Sequence, residues 1–351
     1  MEMKLYNFDF SKKIFYHPEK IVEYRDGSRP FPILVEVDLT NKCNHRCKFC
    51  CCAEHINTSR DSMDSEIIQA RLAEARELGT KAISFTGGGE PMMHKDFLKI
   101  LQYAKALGLD AGMLTNGSAI NEKNVDTLVS NLEWIRISVG GGDQESYTAV
   151  QGIDHFERVL RGINLLAERR RELKAVFNIG VRLLVLPENV DSITSFARLL
   201  KDARINYLQL APDQFTDDRG KFWNDPATKQ HFEEAGRILE EANTRLLTAN
   251  YVWLQDRIDF PRTCYAHFFH GLFLADGNVA YCRNAHGKED YYIGNINKNT
   301  LAEIWSGDRT KEIEGRVKPS NCALYCKNMA LNVTMEEVLY PDPDMSPNFV
   351  G

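Results

Sequence analysis

The sequence predicts an α/β fold with a parallel sheet, followed by a smaller region that contains cysteines. Between Ile33 and Asn206, short apolar runs alternate with amphipathic stretches, which is typical of consecutive strand-helix units. Beyond this part, four cysteines are spread over the C-terminal third of the chain. The six predicted strands are 33–38, 82–86, 111–115, 134–139, 176–185 and 207–210.

The predicted helices fall between these strands. The stretch Ser65 to Leu78 is one example, because its apolar residues recur at helical spacing and Gly79 follows as a stop signal. Its expected buried residues are Ile67, Ile68, Leu72 and Ala75. In a parallel arrangement of this kind the carboxyl ends of the strands share one edge, and we expect the functional motifs there.

Composition limits the possible partners and location. The 351 residues are 43% hydrophobic and carry a net charge of -6, which gives no field that attracts nucleic acid. No apolar run approaches the roughly 20 residues that cross a bilayer. No secretion signal follows Met1, so we expect a cytoplasmic protein with reduced thiols and no membrane or nucleic-acid partner.

Three cysteines follow the first predicted strand within eight residues: Cys43, Cys47 and Cys50. A [4Fe-4S] cluster takes four ligands, so three thiolates leave one iron open to a small molecule. Zinc is an alternative occupant, although its paired cysteines favour a gap of two residues. A disulfide is a second alternative, which the expected reducing compartment disfavours.

The triplet, with Phe49 before its last cysteine, resembles the signature of the radical S-adenosylmethionine (SAM) family. This resemblance implies a partial (β/α)6 TIM barrel and a [4Fe-4S] cluster with SAM at the open iron. Reductive cleavage of SAM then yields a 5′-deoxyadenosyl radical that takes a hydrogen from substrate, while the protein supplies orientation. It also implies a flavodoxin-like or ferredoxin-like electron donor.

A glycine-rich turn follows the second predicted strand. Gly88, Gly89 and Glu90 resemble the family motif that holds the SAM amino group. Alone, such a sequence is more often an ordinary tight turn between a strand and a helix. Its place one strand after the cysteine triplet makes the pair more specific than either motif.

Three residues on later strands are further candidates for binding SAM. Ser138 resembles the family residue that bonds the ribose, although a serine bonded to its own loop is an alternative. Arg182 suits the SAM carboxylate, but a salt bridge inside the barrel would satisfy it equally. Gln209 could face adenine or substrate. Glycines occupy positions 140–142, where family members often carry Asp, so the ribose contacts depart from the family pattern.

The C-terminal region contains Cys264, Cys282, Cys322 and Cys326. Between the first two, Asp276-Gly277 predicts a tight β-hairpin. The set resembles a twitch domain, the shortened SPASM extension that holds one auxiliary [4Fe-4S] cluster with four cysteines. Zinc also suits four thiolates. A saturated cluster would not bind substrate and would serve as an electron acceptor.

The expected organisation has five parts. An N-terminal extension packs on the barrel, and a helix and a strand link the barrel to the auxiliary region, which a short tail follows. The expected ranges are 1–32 for the extension, 33–225 for the barrel, 226–260 for the linker, 261–335 for the auxiliary domain and 336–351 for the tail.

The leading functional hypothesis is oxidation of a secondary alcohol on a sugar or aminocyclitol, because the auxiliary cluster could accept the electron. The architecture is similar to that of dehydrogenases acting on 2-deoxy-scyllo-inosamine. Asp213 and His267 are the candidate bases, although the sequence shows no orienting partner for either. Only 32 residues precede the first strand, too few for the winged-helix segment of many peptide-modifying relatives, which favours a small-molecule substrate without excluding a peptide.

Two alternatives stay open. The first is an epimerase or a bond-forming enzyme acting on a sugar or a peptide, and an epimerase would need a hydrogen donor such as Cys51 or Cys52. The second is a non-catalytic iron-sulfur protein that carries electrons or senses redox state. That protein would not cleave SAM after reduction.

Overall fold

One continuous sheet organises the computed structural model, which describes residues 11–213, 219–248, 260–322 and 326–340. Within these residues the sheet has ten strands. They are β1 (Leu34–Val37), β2 (Ala82–Phe85), β3 (Asp110–Thr115), β4 (Trp134–Val139), β5 (Asn178–Val185), β6 (Tyr207–Pro212), β7 (Arg245–Thr248), β8 (His270–Phe273), β9 (Asn278–Ala280) and β10 (Tyr292–Asn295).

The first seven strands are parallel and follow one another in chain order, which confirms the predicted α/β fold and its six strand-helix units. The seventh, β7, comes from the segment expected to be a linker. It joins the sheet because Leu246 and Leu247 are buried against it, and Tyr207 pairs with Arg245. The other neighbour of β1 is β8, so the described strands form an open partial barrel.

The helices lie between the strands and in the C-terminal region. The bounds are α1 (Pro18–Arg25), α2 (Ala53–Thr58), α3 (Ser65–Glu77), α4 (Phe97–Ala106), α5 (Val125–Asn131), α6 (Gln144–Gln151), α7 (Phe156–Glu172), α8 (Ile193–Ala203), α9 (Arg219–Asn224), α10 (Pro226–Glu241), α11 (Leu301–Ser306), α12 (Asp308–Arg316) and α13 (Met329–Leu339). None of the described helices is long and apolar enough to span a bilayer.

Helix α3 shows how local sequence sets an element. The carboxylate of Asp64 accepts hydrogen bonds from the first backbone N–H groups of the helix, and Gly79 ends it with a positive φ of 107°. The apolar face is buried as predicted, except that Ile67 is only partly buried at its edge. The helix therefore ends at Glu77, one residue before its predicted end at Leu78.

The predicted hairpin is present and extends the barrel sheet. Strand β8 pairs with β1 in parallel, and β9 returns antiparallel to β8. The turn places the N–H of Gly277 2.8 Å from the carbonyl of Leu274, and Gly277 has a positive φ of 87°. This is the geometry of a three-residue hairpin loop, which needs glycine at its last position.

The N-terminal extension contacts both the barrel and the C-terminal region. Phe31 belongs to the buried core of the barrel, and the carbonyl of Pro32 accepts from Thr80 Oγ1 at 2.8 Å. On the other side, Ile14 shares a buried cluster with Tyr265, Phe269 and Met335. The ring of Tyr24 also lies 4.8 Å from that of Phe268, between centroids. Apolar residues at the two ends of the chain therefore cover each other.

The expected start of the tail falls inside a helix. Helix α13 continues across residue 336 to Leu339, and its buried Asn332 bonds the backbone N–H of Ala266 at 2.8 Å. The helix is thus part of the C-terminal region up to its end. Residues 341–351 of the expected tail lie outside the described residues.

Candidate active site and second cysteine set

The loop that carries the first cysteines is held at both its base and its far side. At the base, the N–H of Asn41 bonds the carbonyl of Asp61 at 2.8 Å. On the far side, the N–H of Arg46 bonds the carbonyl of Gln151 at 3.1 Å, at the end of α6. The backbone therefore fixes this loop before any cofactor binds.

The three thiols of this loop lie close enough to affect one another. Burial, followed by the charges of Cys50 and Cys43, raises the pKa of Cys47 to about 12. Burial also raises the pKa of Cys50 to about 11. The Sγ of Cys47 donates to Oε1 of Gln151 at 2.5 Å, and Gln151 Nε2 donates to the carbonyl of Ser138 at 3.1 Å. Three thiols gathered in one loop match the three-ligand set of an open [4Fe-4S] cluster.

The glycine-rich turn after β2 lies directly on the cysteine loop. The N–H of Gly89 bonds the carbonyl of Thr40 at 2.8 Å, and that of Glu90 bonds the carbonyl of Lys42 at 2.9 Å. A Cβ at Gly89 would come within 2.2 Å of the Lys42 carbonyl oxygen, and one at Gly88 within 2.2 Å of Asn41 Oδ1. Only glycine allows this approach, so the two predicted motifs are brought together.

Glu90 is buried at the centre of this contact, with 3% exposure. Its carboxylate accepts hydrogen bonds from Thr115 Oγ1 and from the N–H of Asn116, both at 2.7 Å. Burial raises the pKa of Glu90, which these hydrogen bonds oppose. Thr115 ends β3 and Asn116 follows it, and neither was predicted from the sequence to hold Glu90. Their position at a strand end was the available signal.

Ser138, Arg182 and Gln209 lie in one row across three neighbouring strands. The registers pair Ser138 with Arg182 and Arg182 with Gln209, so the three side chains share one face of the sheet. Arg136, which sequence reasoning did not nominate, lies on the same face and donates to Gln209 Oε1 at 3.3 Å. The row makes the inner face of the partial barrel polar.

Two glycines make room for aromatic rings on this face. A Cβ at Gly112 would lie 2.1 Å from the Trp134 ring, and one at Gly180 would lie 2.0 Å from the Tyr207 ring. Each glycine is the register partner of the aromatic residue that covers it. The glycines therefore allow large side chains to fill the lower part of the barrel interior.

The glycines at positions 140–142 have a packing role. A Cβ at Gly141 would lie 2.2 Å from the backbone nitrogen of Tyr147, and one at Gly142 would lie 2.1 Å from the carbonyl of Ser192. The next carboxylate, Asp143, caps α6 by accepting from the N–H of Ser146 at 2.8 Å. Close packing thus accounts for glycine where the family pattern often has Asp.

The two candidate bases have different surroundings. Asp213 follows β6 directly and is 9% exposed, near the strand ends that carry the other candidates. His267 is 2% exposed and stacks on Tyr281 at 4.2 Å between ring centroids. Its Nε2 lies 3.4 Å from Oε1 of Glu314, the partner that the sequence did not show. This packing weakens the case for His267 as a base.

The second cysteine set is assembled from separate segments. Cys264 precedes β8, Cys282 follows β9, and Cys322 and Cys326 precede α13. Burial, and then the charge of Cys282, raises the pKa of Cys264 to about 12. Burial raises the pKa values of Cys322 and Cys326 to about 11, and neighbouring thiols of the set add to the effect. The four thiols therefore lie near one another and provide the donors of a saturated cluster.

Both cysteine sets consist of thiols, which as thiolates are the donors that an iron-sulfur cluster takes. In the described parts of the chain, no three His, Cys, Asp or Glu side chains converge on a point that would hold a single metal ion.

A buried ionic network lies where β1 meets the C-terminal region. Arg283 Nη1 donates to Oδ2 of Asp38 at 2.6 Å, and its Nη2 donates to Oε2 of Glu36 at 2.9 Å. Lys327 Nζ also donates to Glu36. No residue of this network was nominated from the sequence, although Arg283 and Lys327 each directly follow a cysteine of the second set.

Two family models match the chain. The model described as the radical SAM superfamily matches residues 37–200, and the model for SPASM, an iron-sulfur cluster-binding domain, matches residues 264–328. The first match contains Cys43, Cys47 and Cys50, and the second contains Cys264 to Cys326.

Sequence relatives include cyclases of two kinds. A PqqA peptide cyclase of Rhizobium meliloti (strain 1021) is 24% identical over 283 residues, which cover 78% of this chain and 73% of the relative. A GTP 3′,8-cyclase of Chlorobaculum tepidum is 27% identical over 217 residues, which cover 59% of this chain and 62% of the relative. The second alignment thus spans less than two thirds of the relative.

Among solved structures, Streptococcus suis SuiB bound to S-adenosylmethionine aligns with a TM-score of 0.68 and 16% identity, covering 90% of this chain and 77% of that chain. This likeness shows a shared fold. BtrN in complex with AdoMet and 2-DOIA aligns with a TM-score of only 0.45, over 85% of this chain and 92% of that chain at 16% identity. The expected similarity to aminocyclitol dehydrogenases is therefore distant.

Proposed function

We propose that this chain, a radical SAM enzyme with a C-terminal SPASM domain, modifies a peptide by forming a bond within it. The observation that carries the proposal is the alignment with PqqA peptide cyclase over 78% of this chain. The second kind of sequence relative is also named as a cyclase, which favours bond formation over epimerisation.

The enzyme uses SAM and two [4Fe-4S] clusters. When bound, these groups supply a 5′-deoxyadenosyl radical that abstracts a substrate hydrogen and a second cluster that accepts the electron released. The chain's own residues must bind the groups, keep water away and orient the peptide.

We assign the open cluster to Cys43, Cys47 and Cys50, with Phe49 beside it. Backbone contacts on both sides of their loop support this assignment, because the thiols need little rearrangement to converge. Gln151 would steady Cys47 from α6.

SAM would then lie across the strand ends. Gly88 and Gly89 would expose their backbone to its amino group, and Glu90 would face it with a carboxylate fixed by Thr115 and Asn116. Ser138 and Arg182 are assigned to the ribose and the carboxylate, because they occupy one row on the inner face. Gln209 continues the row toward adenine or the peptide.

The auxiliary cluster is assigned to Cys264, Cys282, Cys322 and Cys326, which fill every ligand position. Of the two candidate bases, Asp213 is the preferred one, because it lies beside the strand ends. A base there would take the proton that leaves when the new bond forms. A flavodoxin-like or ferredoxin-like donor and a cytoplasmic location belong to the same proposal.

Oxidation of a sugar or aminocyclitol alcohol is the second candidate. The saturated auxiliary cluster favours it, since a two-electron oxidation needs an electron acceptor. The same cluster serves bond formation equally, and a sequence relative that aligns over 78% of this chain is named a peptide cyclase. The peptide reaction is therefore preferred.

The test uses the anaerobically reconstituted enzyme with SAM and a chemical reductant. An extract of the organism that encodes the protein is separated by size into a peptide fraction and a small-molecule fraction. We expect the peptide fraction to raise 5′-deoxyadenosine formation above the level without extract. The modified peptide should be lighter by two hydrogen atoms, and tandem mass spectrometry should lack fragments between the joined residues.

Other outcomes identify the competing reactions. Stimulation by the small-molecule fraction alone would overturn the peptide proposal. A peptide whose mass is unchanged in ordinary water, but which gains one deuterium in heavy water, would indicate epimerisation. Absence of SAM cleavage in a fully reconstituted enzyme would indicate a redox protein.

A further inference from the structure

The network between β1 and the C-terminal region is buried and charge-balanced. Glu36 is 6% exposed and Asp38 is fully buried. Arg283 bonds both carboxylates, and Lys327 bonds Glu36. Two buried anions thus meet two cations, with hydrogen bonds that satisfy the charges.

The other titratable groups that face the network include the thiols of Cys51 and Cys52 and two histidines from the C-terminal region. His270 Nε2 lies 3.5 Å from Oε1 of Glu36, and His286 Nε2 lies 3.5 Å from Oδ2 of Asp38. Burial lowers the pKa of His270, despite the neighbouring carboxylate of Glu36. Burial opposes ionisation of Glu36 itself, but Lys327 and Arg283 hold its pKa well below the usual range.

The cations of the network are adjacent in sequence to the second cysteine set. Arg283 follows Cys282, and Lys327 follows Cys326. Each cation is therefore one residue away along the chain from an assigned ligand of the auxiliary cluster, and the charge of Lys327 acts on the thiols of both Cys282 and Cys326. The net charge around an iron-sulfur cluster is one of the factors that set its reduction potential.

The carboxylates of the network come from the barrel, whereas its cations come from the C-terminal region. Glu36 lies on β1 and Asp38 directly after it, on the strand that leads into the first cysteine loop. Asp38 Oδ1 accepts from Thr86 Oγ1 at 2.7 Å, and Arg283 Nη2 also contacts Thr86 Oγ1 at 2.6 Å. Thr86 directly precedes the glycine-rich turn, so the network reaches both cofactor sites.

We propose that Glu36 and Asp38 are positioning residues that neutralise Arg283 and Lys327, and so set the reduction potential of the auxiliary cluster while fixing that cluster against the SAM site. The inference rests on the proposed cysteine ligands. Loss of one carboxylate leaves a positive charge beside a cluster ligand. Positive charge favours the reduced cluster, so its midpoint potential rises.

The experiment uses the full-length variant Cys43→Ala/Cys47→Ala/Cys50→Ala, which keeps only the auxiliary cluster. Its midpoint potential is measured by redox titration with electron paramagnetic resonance. We expect Glu36→Gln to shift the potential to a more positive value and Lys327→Gln to shift it to a more negative value. Combining Glu36→Gln with Lys327→Gln should return the potential toward the parent value, because charge balance is restored.

The control is Glu312→Gln, which removes an exposed carboxylate of the same region from α12. If the residues had only a structural role, the two single variants would not shift the potential in opposite directions. The double variant would then not restore the parent value. Unchanged potentials in Glu36→Gln and Lys327→Gln would overturn the inference. If Glu36→Gln does not fold, Lys327→Gln alone tests the inference. The Lys327 side chain is 41% exposed, so its replacement should not prevent folding.

Iron content separates this inference from the assignment beneath it. The parent variant should hold about four irons per chain. Loss of that iron would overturn both the proposed ligands and the inference. Retained iron with unmoved potentials would overturn the inference alone.

Discussion

The two cysteine sets differ in how the chain builds them. The first comes from eight consecutive residues held by backbone hydrogen bonds, whereas the second collects ligands between Cys264 and Cys326 from separate segments. Cations flank members of both sets, Arg46 and Lys48 in the first loop and Arg283 and Lys327 in the second, but only Arg283 and Lys327 are bonded to buried carboxylates. A short loop leaves one position open for a reactant, while ligands from several directions enclose a cluster and fix its charge.

The largest expected effect comes from breaking the open site. Cys47→Ala should reduce 5′-deoxyadenosine formation to background, because the two thiolates that remain in this loop are too few to hold the cluster. About four irons per chain should remain in the second set. The assays are SAM cleavage by liquid chromatography and iron analysis.

Cys51→Ala is the matched control for Cys47→Ala, since Cys51 belongs to the same loop but to neither assigned set. It should retain SAM cleavage. Full cleavage activity in Cys47→Ala would remove the distinction between an open and a closed site.

The next effect separates initiation from product formation. Cys282→Ala should lose about four irons but still cleave SAM, because the first loop is intact. Product formation should fall by on the order of a hundredfold or more. The measurement compares 5′-deoxyadenosine with modified substrate in the same reaction.

Lys298→Ala, at an exposed position of the C-terminal region, is the control for Cys282→Ala and should keep both products coupled. If Cys282→Ala retained about eight irons, Cys282 would not be a ligand.

A stability test addresses the rigid loop of the first site. Gly89→Ala should destabilise the apoprotein by about 2–4 kcal/mol, because its Cβ would meet the Lys42 carbonyl oxygen at 2.2 Å. Gly315→Ala is the control, since a Cβ there meets nothing within 4 Å in α12. That change should stabilise the protein by roughly 0.5–1 kcal/mol. Urea unfolding followed by circular dichroism measures both, and equal values would contradict a close approach at Gly89.

The smallest effect concerns the attachment of the N-terminal segment to the C-terminal region. Arg29 Nη1 donates to Oε2 of Glu314 at 2.6 Å, and although burial opposes ionisation, His267 and Arg29 lower the pKa of Glu314. Because the folded pKa is the lower one, the stabilisation is present above the ordinary carboxyl pKa and is lost as pH falls through the folded value. Glu314→Gln should therefore cost about 1–2 kcal/mol at neutral pH and nothing in strong acid.

The control for Glu314→Gln is Glu312→Gln, a neighbouring exposed carboxylate that should change stability little. Urea unfolding of the apoproteins across acid and neutral pH provides the comparison. A cost that does not change with pH would show that the charge of Glu314 is not what attaches the segment.

Local patterns predicted the fold well where they were strong. The six strands and α3 follow from apolar runs and periodicity, and Asp276-Gly277 predicts its hairpin. A strand was expected in the linker, but its pairing with β6 was not, because Leu246 and Leu247 alone form the apolar run of β7. The docking of the N-terminal segment on the C-terminal region was missed because it depends on Tyr265 and Phe269, which lie far along the chain.

The candidate site divides in the same way. Ser138, Arg182 and Gln209 could be placed on neighbouring strand ends, and their registers put them in one row. The contact of Gln151 with Cys47, and that of Arg283 with Asp38, join residues distant in sequence. No local periodicity encodes such pairs, so only the three-dimensional fold reveals them.

The pairing of β1 with β8 has a consequence for synthesis on the ribosome. Leu34 and its neighbours emerge early, but their partners at His270 to Phe273 emerge only after the whole parallel sheet. Until then β1 presents an unpaired strand edge, which is a template for unwanted association. Its late, long-range closure is also expected to be slow. A nascent chain that lacks the last segments should therefore aggregate or recruit chaperones, and the edge is protected only when β8 has been made.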